Sequence, residues 1–452
     1  MSSPAQLDSR PHRAREKGLP RHPHYVLRCL GTERILDDSL DHRTGNLPLA
    51  NNDASEPAFL RSEYTNPRLQ LLNPELGLFR YASWLPVRRF LSGSSAPITY
   101  KSNGLAELLG LDKLYITFSG YWPERNVAMQ SGTFKECEAY AVAGRMGDTF
   151  PGTLVIASAG NTARAFHRVF EEHQIPVVIV VPEANLHNLW SAAEQGERES
   201  AKVIAVTGDA DYSDAIALAG RLCEIPGYLP EGGAKNVARR DGMGTTMLSA
   251  ATTIGRIPDH YFQAVGSGTG AIAAYEANLR LLEDGRYGSS LARLHLSQNA
   301  PFTLLYDSWQ RRERNLLSLD EEVAKHEIEA IRAKVLANRK PPYSLRGGLF
   351  DALLKTDGVM YAPSNEQAAT AATIFEETEG IDLEPAAAVA VASLLEAVRS
   401  NNVPPTDTVM LNITGGGIER YRRETRTQPI KPDIRADKEL TTEELAALLA
   451  QL

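Results

Sequence analysis

The sequence predicts an α/β fold built on parallel sheets, and three observations carry that expectation. Short runs rich in β-branched residues recur at 154–157, 177–181, 203–206, 261–265, 293–296 and 408–412. Each is separated from the next by enough residues for a helix, the pattern of parallel strands covered on both faces. Two of the runs pass directly into turn-and-helix motifs, Ser158-Ala159-Gly160-Asn161-Thr162 and Gly266-Ser267-Gly268-Thr269-Gly270. In such sheets ligands sit at the carboxyl ends of strands.

The 452 residues, 43% hydrophobic and 23% charged, can bury a large core and divide into two or three domains. A net charge of -8 argues against a nucleic-acid-binding surface, which needs clustered Lys and Arg in excess. Basic residues near a site then serve a small anion. No apolar stretch approaches the ~20 residues that cross a bilayer; the runs 176–182 and 386–395 suit buried strands or helices. The first 25 residues lack the apolar segment of a secretory signal. Cys29, Cys137 and Cys223 are too few and too scattered for a disulfide framework, which fits a reducing cytoplasm.

Along the chain, the polar, Pro- and Arg-rich residues 1–24 read as a disordered arm. His22, His24 and His42 match no metal-binding spacing, so no metal is expected. Residues 310–340 carry dense charge with Val323, Ile328, Ile331 and Val335 at helical spacing. They read as surface helices, a solvated face or subunit contact rather than a lid, stopped by Lys340-Pro341-Pro342. Beyond Glu419, Pro429 and Pro432 suggest a linker. Thr441 with Glu444 forms a capping box ahead of a short amphipathic helix.

The chemistry concentrates in three places. Lys135, in Ser131-Gly132-Thr133-Phe134-Lys135-Glu136, stands at a helix start and can form a Schiff base with an aldehyde. The backbone N–H groups of Gly266, Gly268 and Gly270, with the Ser267 and Thr269 hydroxyls, can satisfy a phosphate at a helix N-terminus. No lysine follows as in a Walker loop, and the spacing is not that of a dinucleotide fingerprint. Asn161 and Thr162 can hold a phenolate oxygen and a carboxylate. The cofactor that needs all three is pyridoxal 5′-phosphate (PLP). Cys137, turned to another helix face, reads as a buried small hydrophobe.

Four stretches in order extend this reading: Phe118-Ser119-Gly120-Tyr121-Trp122-Pro123-Glu124, Gly132-Thr133-Phe134-Lys135-Glu136-Cys137-Glu138-Ala139, the run 231–244, which opens Glu231-Gly232-Gly233-Ala234-Lys235, and Ile413-Thr414-Gly415-Gly416-Gly417. From about Ser119 to Glu419 the chain resembles the threonine synthase branch of the tryptophan-synthase-β-like, fold type II PLP enzymes, and within it the cysteate synthases. The resemblance implies two three-layer α/β domains with parallel sheets and the active site in the cleft between them. A large PLP-binding domain would comprise 76–134 and 251–430, and a smaller mobile domain 135–250. Residues 1–75 would be an arm and a degenerate ribbon, and 431–452 a C-terminal linker and helix. Many relatives carry paired cysteines in the ribbon; this chain keeps only Cys29, too few thiolates for a zinc site.

The resemblance also implies roles. Lys135 is the catalytic lysine, Asn161 meets the cofactor's phenolic oxygen, and Thr414 meets its ring nitrogen. Ser158 and Thr162 bind the substrate carboxylate, with Ala159 standing where relatives have a hydroxyl. Arg164, Lys235, Arg239 and Arg240 lie in or beside matched motifs and could bind a phosphate leaving group or an anionic nucleophile. Glu379 and Glu384 fall in a run resembling one that lines the site. The implied activity is β-replacement on O-phospho-L-serine by sulfite, through an aminoacrylate, to L-cysteate and phosphate. Rival readings are threonine synthase acting on O-phosphohomoserine, phosphoserine replacement by sulfide or an amine, and a PLP-binding regulator without turnover. The expected partners are a small anionic amino acid and a small anionic nucleophile, with no nucleic acid or membrane, in a cytoplasmic homodimer or higher homo-oligomer.

Overall fold

The computed structural model describes residues 24–39, 48–51, 57–148, 150–158, 160–192 and 199–450. The expected arm up to residue 23, His22, His42 and Ala159 lie outside the described residues.

Two separate sheets carry the chain. The six-stranded sheet runs in the order Val359–Tyr361, Arg293–Ser297, His260–Ala264, Thr408–Ile413, Lys113–Phe118, Ile98–Lys101. All its pairings are parallel except the last. The five-stranded sheet, Tyr228–Pro230, Thr153–Ala157, Val177–Pro182, Ala201–Thr207, Ile434–Asp437, is parallel throughout. The six expected runs all form strands. The strands Lys113–Phe118 and Ile434–Asp437 were not foreseen, because a polar or charged residue opens or interrupts each apolar pattern.

The expected C-terminal linker therefore contributes a strand. Ile434–Asp437 pairs in register with 204–207 at the edge of the smaller sheet. The helix Thr442–Leu449 follows its Thr441 capping box and buries Leu445 and Leu449 against the cluster of Val178, Val180, Ile204 and Leu218. An unpaired edge exposes backbone donors and acceptors, and this tail covers one.

The helices Lys135–Met146, Val237–Ile254 and Thr269–Asp284 pack together, and the second of them lies against the strands Ile98–Lys101 and Lys113–Phe118 of the six-stranded sheet. The second of these is buried from Val237 to Ala251, including Arg239, Arg240 and Asp241. On these helices sits a four-stranded antiparallel ribbon, ordered Ile35–Leu36, Tyr25–Cys29, Ala58–Tyr64, Ala50–Asn51. Polar contacts hold it where thiolates are lacking. Asp38 meets Arg145 at 2.6 and 2.8 Å, and the Tyr64 hydroxyl donates to Asp241 at 2.7 Å. Cys29 and Cys137 are fully buried, and burial pushes the Cys137 thiol up, as an inert core residue requires.

Within 310–340 the helix Glu321–Ala330 exposes Val323, as a surface helix does. Ile331, Ala333 and Leu336 are instead buried, so the solvated face ends at about residue 330. Among the described residues no helix is long and apolar enough to cross a membrane.

Candidate active site

Lys135 opens its helix directly after Phe134, and Phe134 is where the distant motifs meet. The Phe134 N–H donates to the Thr414 carbonyl at 2.9 Å, and the Gly416 N–H donates to the Gly132 carbonyl at 3.0 Å. The two loops thus form a short antiparallel bridge, Thr133 to Gly415. Gly415 permits the approach: a Cβ there would lie 2.9 Å from the Thr133 methyl and 3.0 Å from Glu384 Cβ. From the other side the Phe134 ring reaches the phosphate-type loop, 3.1 Å from where a Cβ on Gly270 would stand.

That loop joins the strand His260–Ala264 to the helix Thr269–Asp284. Gly268 takes φ +78°, and a Cβ there would press on Leu349 at 2.8 Å. The Ser267 and Thr269 hydroxyls lie 2.7 Å apart. The first N–H groups of the helix have no intrahelical carbonyl to meet, so the loop presents donors to an anion. The Lys135 amine is also loosely held, 3.4 Å from Glu138 Oε2 and 3.9 Å from Met243 Sδ, both at or beyond the range of a good hydrogen bond. An anion cradle and an under-coordinated amine on either side of one aromatic ring fit an aldehyde that carries a phosphate.

Asn161 opens the helix Asn161–Glu172. Its Oδ1 accepts from Arg164 at 2.9 Å and its Nδ2 donates to Glu384 Oε1 at 3.3 Å. Glu384 caps the helix Pro385–Arg399 through the Ala386 N–H at 2.9 Å. Burial raises the Glu384 carboxyl, opposed by its bonds to Ala386 and Asn161 and by Arg164. Ser158 Oγ accepts the N–H groups of Gly160 and Ala163 at 3.2 and 3.0 Å, although the N-cap position itself falls to Gly160 and Asn161 is the first helical residue. The Thr162 hydroxyl donates to Glu138 Oε1 at 3.0 Å.

The basic residues separate into distinct settings. Arg164 donates twice to the Ser131 carbonyl, at 2.9 and 2.8 Å, and once to Asn188 at 3.0 Å. Burial pushes its guanidinium down to about 10. Arg240 pairs with Glu276 at 2.9 Å, donates to the Leu60 carbonyl, and stacks over Phe59 at 4.7 Å, so it serves the ribbon. Arg239 pairs with Glu231, with Nε at 2.9 Å, and sets Nη1 3.3 Å from Glu138. Lys235 is exposed on the single turn Gly233–Lys235. Glu379 accepts from Ser102 at 2.6 Å and from Tyr100 at 3.0 Å, anchoring the first strand of the large sheet.

Two features escaped sequence reasoning. Glu138 is fully buried and touches Lys135, Thr162 and, through Arg239, the 231–244 motif. Its position three residues after Lys135, on the same helix face, was the available signal. Val335 lies between the two glycine-bearing loops. Its Cγ1 is 3.6 Å from the Cβ position of Gly160, and its carbonyl oxygen 2.7 Å from that of Gly266. The helical spacing that picks it out in the sequence says nothing of this place, because the approach of those loops is a tertiary event.

A family model described as pyridoxal-phosphate dependent enzyme matches residues 100–415. The cysteate synthase of Methanosarcina acetivorans is 49% identical over 411 residues, 91% of this chain and 96% of the relative. That of Methanoregula boonei is 47% identical over 430 residues, covering 95% and 98%. Among solved structures, maize serine racemase aligns with a TM-score of 0.52 at 14% identity over 73% of this chain and 92% of its own. An L-serine ammonia-lyase from Rhizomucor miehei aligns at 0.52 and 16% over 73% and 99%. These structural likenesses show the shared fold, that of the fold type II enzymes.

Proposed function

Because the chain belongs to the cysteate synthase family of pyridoxal-phosphate-dependent enzymes, we propose that it replaces the phosphate of O-phospho-L-serine by sulfite, releasing L-cysteate and phosphate. The protein is a PLP-dependent enzyme. The observation that carries the assignment of its site is the junction at Phe134, which joins the Lys135 loop to Thr414 and to Gly270.

In this site Lys135 would carry the cofactor's aldehyde carbon. The amides and hydroxyls of Gly266, Ser267, Gly268, Thr269 and Gly270 would hold its phosphate, Asn161 its ring oxygen and Thr414 its ring nitrogen. Bound there, PLP supplies the electron sink that lets the α-proton and the β-phosphate depart. Once free, the Lys135 amine takes the α-proton and later returns it. Thr414 offers a neutral hydroxyl rather than a carboxylate, which favours expelling a leaving group over prolonged storage of charge.

Ser158 and Thr162 are assigned to the substrate carboxylate. Of the four basic candidates, Arg239 shares Glu138 with the reacting lysine, and we assign to it the departing phosphate or the entering sulfite. Lys235 is kept as a second anion contact. Arg164 and Arg240 spend N–H groups on backbone carbonyls and are assigned to the frame.

The test is phosphate release by the PLP-loaded protein from O-phosphoserine and, separately, from O-phosphohomoserine, each with and without sulfite, with the amino-acid product identified by mass. Sulfite-dependent formation of cysteate from phosphoserine is expected. Release from phosphohomoserine alone would replace this reading with a threonine synthase.

A further inference from the structure

The Glu138 side chain is fully buried, and a carboxylate withdrawn from water is costly unless it is met by donors. Here three different elements meet it. Lys135 Nζ lies 3.4 Å from Oε2 on its own helix, the Thr162 hydroxyl donates to Oε1 at 3.0 Å from the helix Asn161–Glu172, and Arg239 Nη1 stands 3.3 Å from Oε1 on the helix Val237–Ile254. Tyr212, on the helix Tyr212–Leu222, lies within electrostatic reach of Arg239, Glu231 and Glu138. Glu231 is one step away, held by Arg239. Among the described residues the Lys135 amine pairs with no other carboxylate; its remaining neighbours are Met243 Sδ and the Phe134 ring at 4.8 Å.

We infer that Glu138 is a positioning residue that holds the Lys135 ammonium between its two proton transfers, keeping the α-proton from solvent until the product takes it back. The inference rests on the β-replacement reading. In that reaction the α C–H bond breaks and its proton passes to Lys135 Nζ, while its electron pair becomes the Cα–Cβ double bond as the C–O pair leaves with phosphate. Sulfite's lone pair then forms the C–S bond, and the displaced pair takes the proton back at Cα. The lysine must stay protonated through the exchange of two anions. Met243 and Phe134 offer it apolar and aromatic surface; Glu138 offers the opposite charge.

The holoenzyme and its Glu138→Gln and Glu138→Asp variants test this in two ways. The first is a pH titration of the visible absorption of the bound cofactor without substrate. The second is turnover of α-deuterated O-phosphoserine with sulfite in ordinary water, reading the deuterium retained in cysteate. Exchanging the carboxylate for a neutral amide removes a negative charge beside the cofactor-bearing nitrogen, so the titration midpoint of Glu138→Gln should fall below that of the wild type. The acid limb of kcat should move the same way and deuterium retention should fall. Glu138→Asp should move all three in the same direction but less, and it carries the test if Glu138→Gln does not fold. Variants that titrate and retain deuterium as the wild type does overturn the inference. If the wild type binds PLP and titrates but makes no cysteate, the β-replacement reading fails, while the titration still reads on Glu138.

Discussion

Arg145 and Asp38 form a buried ion pair, with Nη2 2.6 Å from Oδ1 and Nε 2.8 Å from Oδ2, that fastens the N-terminal ribbon to the helix bearing Lys135. The Arg145 side chain is fully buried and that of Asp38 nearly so. Removing one partner leaves an uncompensated charge, so Asp38→Ala should cost about 3–5 kcal/mol of stability in denaturant unfolding. A loss below about 1 kcal/mol would mean that the pair is a passive contact.

The same pair sets an acid limit. Burial pushes the Asp38 carboxyl up, but the charge and hydrogen bonds of Arg145, with Tyr25 and Arg88, outweigh it and hold it below its usual range. A carboxyl depressed on folding contributes stability that is full above its unfolded value near 3.9 and is lost as pH falls through the folded value. The gap in unfolding free energy between wild type and Asp38→Asn should therefore be widest near neutrality and shrink below about pH 4. A gap independent of pH would contradict this.

Lys135→Ala should fold normally and lose both cysteate formation and the visible absorption of lysine-bound cofactor. Borohydride reduction followed by peptide mapping should label Lys135 in the wild type and no residue in the variant. Label at another lysine would move the assignment.

Gly268→Ala places a Cβ 2.8 Å from Leu349 at φ +78°. Left-handed backbone costs a residue with a Cβ roughly 1–2 kcal/mol. The apo protein should melt at lower temperature, and PLP should bind at least several-fold more weakly by equilibrium titration. Unchanged affinity would indicate that the phosphate sits elsewhere.

The segment that carries Val335 is tied down by Arg339, which bonds both Asp211 and Glu321. If this strap excludes water from the cleft, Val335→Ala should release more phosphate than cysteate, because water competes with sulfite. The ratio of the two products, measured together, decides it; a ratio of one would remove the strap from the chemistry.

Much of this protein was readable in one dimension. The strand runs 177–181 and 408–412, the Gly266–Gly270 turn and the Lys135 helix start are each specified by a few adjacent residues, so propensity, capping and glycine placement determine them locally. The motif resemblance then supplied the cofactor. What stayed hidden depends on which segments fold against each other. Ile434–Asp437 becomes a strand only because the smaller sheet has an open edge, and Arg239 and Arg240, adjacent in sequence, part ways because helix geometry turns them about 100° apart, one toward Glu138 and the other toward the ribbon.

The sequence by itself therefore determined the α/β class and the family, and it singled out Lys135 and the Gly266–Gly270 turn as the proposed lysine and phosphate loop, since each is written in contiguous residues. Only the tertiary structure decided that Glu138 meets Lys135, Thr162 and Arg239 together, that Val335 stands between the glycine loops, and that a ribbon poor in cysteine is held by Asp38 and Arg145. Such contacts join residues far apart in the chain, and their energies depend on burial and on partners that no local pattern specifies.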